Sequence, residues 1–112
     1  MNVNETLING VTVLEVAGRI DSTTAPEFES KLEGALGSGQ RRMVLDLGQL
    51  MYISSAGFRV LYRAVMRAKE ANGRLVLCGL SATVCELFAI AGFDRLFTIV
   101  GSREDGVMAT GS

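Results

Sequence analysis

Apolar positions along the chain follow two rhythms, one of period two and one of period three to four. Val11-Thr12-Val13-Leu14-Glu15-Val16-Ala17 is β-branched and alternating, and predicts a strand. Asn9-Gly10 just before it is the preferred dipeptide of a tight hairpin turn, so residues 2 to 8 are expected to pair antiparallel with residues 11 to 17. Gly18-Arg19-Ile20-Asp21 leads to Ser22-Thr23-Thr24-Ala25-Pro26-Glu27, where a hydroxyl N-cap, an early proline and an acidic first turn predict a helix start. Phe28, Leu32, Ala35 and Leu36 form its apolar face, and Gly37-Ser38-Gly39 is its expected end.

The remainder alternates in the same way. Arg41 to Leu47 has the continuous apolar centre of a strand inside a sheet. Gly48 to Ser55 is expected to be a loop, and Ala56 to Ala71 a helix with Phe58, Leu61, Tyr62, Val65 and Met66 inward and Arg59, Arg63, Arg67 and Lys69 largely on other faces. Asn72-Gly73 stops that helix, Arg74 to Cys78 is a strand, Ser81 caps a short helix reaching about Ala91, and Gly92 ends it. Phe97 to Val100 is the last predicted strand, and the tail from Gly101 carries at most one weak helical turn. The order is β-β-α-β-α-β-α-β with an optional C-terminal helix. Right-handed crossovers then build an α/β fold whose central sheet is mostly parallel, with one antiparallel strand at its N-terminal end. Neither an internal repeat nor a linker interrupts the pattern, so residues 1–112 are expected to form one domain.

Composition narrows the chemistry. With 112 residues, 48% of them hydrophobic, the chain can bury a core and is not disordered. It contains no histidine, which excludes Ser-His-Asp and Cys-His nucleophile systems, histidine metal sites and histidine phosphocarriers within the chain. A net charge of −1 supplies no broad basic field, so neither nucleic acid nor an anionic membrane is an expected partner. Cys78 and Cys85 are too far apart for a CxxC pair and are expected to be reduced, mostly buried thiols. The first residues lack the features of a signal peptide and no apolar run is long enough to span a bilayer, so the expected location is the cytoplasm.

An open α/β sheet gathers its functional groups where strand ends lead into helix N-termini. Ser54 and Ser55 occupy such a point, and the helix end beside them favours an anion, such as a phosphoryl group on a serine. Helix capping is the alternative role for either serine. Asp46 stands at a strand end but lacks the acidic cluster and late lysine of a phosphoacceptor aspartate, and is expected to be structural.

The stretch Val44-Leu45-Asp46-Leu47-Gly48-Gln49-Leu50-Met51-Tyr52-Ile53-Ser54-Ser55-Ala56-Gly57-Phe58-Arg59-Val60-Leu61 resembles the signature of the STAS domain in its single-domain form, the bacterial anti-sigma factor antagonist. Gly18-Arg19-Ile20-Asp21 with Thr24-Ala25, and Leu87-Phe88 with Ala91-Gly92-Phe93, resemble two further segments of that family. The resemblance implies a STAS-like fold and a non-enzymatic partner-switching role with no cofactor. It also implies an anti-sigma factor partner, usually a serine kinase with a histidine-kinase-like ATPase fold, and a PP2C-type phosphatase that reverses the kinase's action. The family motif is commonly Asp-Ser-Ser/Thr-Gly-Leu. Laid on this chain it puts the acceptor at Ser55, with Ser54 as runner-up, and replaces the aspartate by Ser54 and the second hydroxyl by Ala56.

The same resemblance makes Asp21, Thr23, Thr24, Ser54, Ala56 and Gly57 partner-binding candidates, and Arg59 joins them as a cation that could face an acidic partner. A turn or helix-capping role is the alternative for Asp21, and a solvated face the alternative for Arg59, Arg63, Arg67 and Lys69. Met51 and Tyr52 are expected either in an apolar interface or in the core. The free chain is expected to be a monomer. A second reading makes the domain a STAS-like sensing or scaffold module that binds a nucleotide or lipid through the helix end beside Ser55, although no Gly-rich phosphate loop is present.

Overall fold

A computed structural model describes residues 1–37 and 41–111. Two strands open the chain, β1 (Asn2–Ile8) and β2 (Val11–Ile20), paired antiparallel from Asn2 opposite Ala17 to Ile8 opposite Val11. Asn9 and Gly10 join them at φ 51° and 79°, the doubly left-handed turn that suits a twisted hairpin. The chain continues as α1 (Ala25–Gly37), β3 (Arg42–Asp46), β4 (Leu50–Ile53), α2 (Ser55–Glu70), β5 (Arg74–Cys78), α3 (Ala82–Ala91), β6 (Thr98–Val100) and α4 (Arg103–Thr110). The sheet runs β1-β2-β3-β5-β6, and every pairing after the hairpin is parallel.

Strand periodicity divides the core into two layers. Leu14, Val16, Met43, Leu45, Leu75 and Leu77 belong to the larger layer, packed with Phe28 and Leu32 of α1, Phe58 and Leu61 of α2, and Val84 and Phe88 of α3. Val11, Val13, Val44 and Cys78 belong to the other, covered by Val107 of α4. Gly106 lets α4 lie flat on this face, since a Cβ there would stand 2.9 Å from Val44 Cγ1. Ser102 caps α4 by accepting the Asp105 N–H at 3.1 Å. The tail is thus a packed two-turn helix, firmer than the single weak turn its sequence predicts.

Three further expectations need correction. The predicted loop from Gly48 to Ser55 contains β4, which pairs parallel with the far end of β2, Tyr52 opposite Arg19 and Ile53 opposite Ile20. Four residues after a tight turn are too few for period-two alternation to show. The partner strand β2 correspondingly runs on to Ile20, beyond the predicted stop at Ala17. Tyr62 and Met66, predicted to face inward, are 43% and 37% exposed, because Gly57, Phe58, Val60, Leu61, Ala64, Val65 and Ala68 already fill the buried stripe of α2. The α1 stop falls at Gly37, while Ser38 and Gly39 lie outside the described residues.

Candidate functional site

The C-terminal ends of β2 and β4 meet at one rim, held by the Ser54 N–H donating to the Ile20 carbonyl at 2.8 Å. From that rim α2 begins. Ser54 is its N-cap residue, in extended backbone, and its carbonyl accepts the Phe58 N–H at 3.0 Å. Its side chain makes no capping bond, and Ser54 Oγ is buried without a hydrogen-bond partner. Ser55, one residue on, is exposed. The two serines therefore differ: one hydroxyl is shut inside the helix entry, the other stands on the surface at its first turn.

Gly57 fixes how closely that first turn approaches the strands. A Cβ on Gly57 would fall 2.7 Å from Ile53 Cγ1 and 2.8 Å from Ile20 Cγ2, so only glycine lets α2 start against the two strand ends. Ala56 is half-buried beside it. First-turn N–H groups of an α-helix have no carbonyl partner within the helix, and Ser54 Oγ does not take one, which leaves a donor-rich, partly positive end at Ser55.

Asp21 stands at the same rim, just past the end of β2. Its Oδ1 accepts the Thr23 N–H at 2.9 Å, the Thr23 hydroxyl at 2.6 Å and the Thr24 N–H at 3.2 Å. Thr24 Oγ1 accepts the Asp21 N–H in return at 2.9 Å, and the Asp21 carbonyl accepts the Ala25 N–H at 2.8 Å. A carboxylate thus caps the turn into α1, where the sequence predicted a hydroxyl. The Thr23 hydroxyl and backbone bonds hold the Asp21 carboxyl below its ordinary pKa, so it stays anionic. Beside it, the Arg19 guanidinium lies 4.5 Å from the centre of the Tyr52 ring.

Two clefts flank the rim. One, of about 380 Å³, lies between α1 and α2 and is lined by Ser22, Ala25, Pro26, Ala56, Arg59 and neighbouring residues. The other, of about 340 Å³, is lined by Gly48, Gln49, Leu50, Met51, Ser81 and Thr83. Met51 is 69% exposed, which places it on the surface rather than in the core, whereas Tyr52 is half-buried. Ser22 and Glu29, which the sequence did not single out, complete the first cleft; a pairing pattern between helices, invisible before the fold is known, brings them there.

The other candidates fall away from the rim. Asp46 is held by Arg103, through Nη2 at 2.9 Å and Nε at 3.1 Å, and accepts the Gly48 N–H at 3.0 Å. Arg103 also reaches Glu15 at 3.2 Å, so Asp46 anchors α4 and is structural as expected. Burial first, and the nearby Asp46 charge second, push the Cys78 thiol up to about 11, a protonated and inert group. Cys85 is exposed, contrary to the expectation of burial: it lies on the outer face of α3, whose inward positions are taken by Val84 and Phe88. Among the described residues no helix is long and apolar enough to cross a membrane.

Residues 2–106 match the family described as the STAS domain. BtrV of Bordetella bronchiseptica is 40% identical over 91% of this chain and 88% of its own length. The anti-sigma-B factor antagonist of Listeria monocytogenes is 33% identical over 75% of this chain and 74% of its own length. A Thermotoga maritima structure superimposes with a TM-score of 0.90 at 15% identity, covering 98% of this chain and 95% of that one. The Bacillus cell fate determinant SpoIIAA in its phosphorylated form superimposes with a TM-score of 0.72 at 15% identity, covering 96% and 98%. On these matches and on the sheet order and rim described above, the chain belongs to the STAS domain family, among the anti-sigma factor antagonists, which are regulators and not enzymes.

Proposed function

We propose that this protein is a cytoplasmic partner-switching regulator, a single domain whose unmodified form binds an anti-sigma factor with serine kinase activity and is released when that kinase phosphorylates Ser55. In the transfer, Ser55 Oγ bonds to the γ-phosphorus of kinase-bound ATP, the bond to ADP breaks, and the hydroxyl proton passes to a base on the kinase. A PP2C-type phosphatase restores the hydroxyl by hydrolysis, releasing inorganic phosphate.

The observation that carries the reading is the contrast between the exposed Ser55 and the enclosed Ser54 Oγ at the start of α2. A kinase can reach only a hydroxyl on the surface, and the chain itself holds no histidine to serve as a base. SpoIIAA, a structural neighbour, exists in a phosphorylated form, which supports the same chemistry here.

Phosphorylation adds about −1.5 to −2 charges and three acceptor oxygens. At a helix N-terminus that charge is favourable by about 0.3–1 kcal/mol, so the fold is kept. The effect falls on the interface. A partner surface packed on the neutral Ser55 hydroxyl would have to desolvate a dianion on the same rim as the anionic Asp21, and stripping water from that charge is too costly for binding to survive. In this reading Asp21, Thr23, Thr24, Ala56 and Arg59 supply the contact surface around Ser55, while Gly57 and Ser54 lie beneath it and seat the first turn of α2.

The test is intact-mass measurement and peptide mapping after incubation with the cognate kinase and ATP. One phosphoryl group on Ser55, and none on Ser55→Ala, is the expected result. Modification that persists on Ser55→Ala overturns the assignment.

A further inference from the structure

Helices α1 and α2 are bridged by a ladder with constant spacing. Arg63 pairs with Glu29 at 2.8 Å and Arg67 with Glu33 at 2.7 Å, each pair 34 residues apart in sequence. The backbone contact of Ser54 with Ile20 has the same offset. Carried back one turn, the offset sets Arg59 against Ala25, a buried methyl with no charge to offer. Beyond the start of α1, the Ser54 N–H bond to the Ile20 carbonyl at the end of β2 brings the next residues, Ser55 and Asp21, to the same rim. Arg59 is exposed, lines the cleft between the helices, and among the described residues makes no ion pair or side-chain hydrogen bond. One rung of the ladder is a cation without its carboxylate.

Ser55 and Arg59 are four residues apart on α2, the spacing at which side chains on one helix face meet, with the anion N-terminal to the cation as that pairing prefers. We propose that Arg59 is the built-in counter-cation of phosphoserine 55: the phosphoryl oxygens take the vacant rung, and in doing so withdraw Arg59 from the cleft it presents in the unmodified protein. This rests on Ser55 being the acceptor. It adds a second action to phosphorylation, for the modified surface gains an anion and loses its one unpaired arginine along the ladder.

Of the arginines near this rim, Arg63 and Arg67 are held by carboxylates of α1 and Arg19 lies over the Tyr52 ring, which leaves Arg59. Asp21, held anionic at the end of β2, repels the phosphate. Glu29 of α1 is committed to Arg63, and Glu33 to Arg67. An Arg–phosphoryl contact is a charge-assisted, geometrically matched pair, so Arg59 offsets the Asp21 repulsion that the helix end alone would have to overcome.

Protein carrying phosphoserine 55 introduced during translation tests the pairing without any kinase, so its outcome is separate from whether Ser55 is the acceptor in the cell. A ³¹P NMR titration reads the second phosphate pKa, near 6 for a free phosphoserine. In the parent it is expected about 0.3 pH units below that of Arg59→Gln, the size of an i,i+4 pairing. Arg67→Gln, three turns from Ser55, should leave the value unchanged. The Arg59 Nε–H resonance should also shift on phosphorylation in the parent. Equal phosphate pKa values in the parent and Arg59→Gln overturn the proposal, as does an equal displacement by Arg67→Gln, which would reveal a diffuse field rather than a pair.

Discussion

Replacing Gly57 by alanine puts a methyl group where two isoleucines already stand. Built on the native backbone, the new Cβ lies 2.7 Å from Ile53 Cγ1 and 2.8 Å from Ile20 Cγ2, roughly 1 Å inside ordinary carbon contact. Neither isoleucine can yield easily: both are β-branched, stiff at χ1 and almost wholly buried, 2% and 0% exposed. The first turn of α2 must therefore lift off the ends of β2 and β4. Overpacking of this kind costs about 1–3 kcal/mol. For a domain near this size each kcal/mol lowers Tm by about 4 °C or somewhat more, so a fall of about 4–12 °C is expected by circular dichroism. Gly34→Ala is the internal control. It lies in the exposed interior of α1 with nothing within 4 Å of its added Cβ, and it should raise stability by about 0.5–1 kcal/mol. The lift of α2 also displaces Ser55, so Gly57→Ala should be a slower kinase substrate than the parent at a temperature where both are folded. A Gly57→Ala protein melting within 1–2 °C of the parent, about a few tenths of a kcal/mol, would refute the claim that this glycine sets the seat of the helix.

Other outcomes follow from the same geometry. Ser81 Oγ accepts the Val84 N–H at 3.2 Å, so Ser81→Ala should lose about 1 kcal/mol in urea unfolding; Ser54 makes no such bond and its Oγ is buried and unpaired, so Ser54→Ala should be neutral or slightly stabilising. A thiol reagent should label Cys85 rapidly in the native protein and Cys78 only on unfolding. Because folding raises Cys78 from its ordinary value of 9.0 to about 11, the unfolded chain gives up a proton there that the native chain keeps. Stability is thus expected to fall between pH 9 and 11, and Cys78→Ala should flatten that slope in urea melts recorded across the window.

The alternating architecture was legible because its signals are strong and local. Asn9-Gly10 announced the hairpin, Ser81 and Gly92 bounded α3, and β3 and β5 each carried an unbroken apolar centre. The strand β4 was not legible, since a four-residue strand is defined by its partner and the partner lies some thirty residues earlier in the chain. Tyr62 and Met66 misled because helical spacing gives the width of an apolar stripe but not the place where a neighbour stops covering it. At the rim, spacing alone left Ser54 and Ser55 equivalent. Only the packing of the helix entry separates an enclosed hydroxyl from an exposed one. Asp21 was open to a capping role or a partner role; it does cap the turn into α1, and its charge still lies at the rim where β2 ends. The vacant rung at Arg59 could not be read at all without the register between α1 and α2, which two salt bridges supply.

The most direct measurement is the affinity of the anti-sigma factor for the unmodified protein and for the protein carrying phosphoserine 55, by titration calorimetry under one set of conditions. Tight binding of the unmodified form and a loss of at least about a hundredfold on phosphorylation, on the order of 3 kcal/mol, is the predicted result. Equal affinity of the two forms would contradict the account.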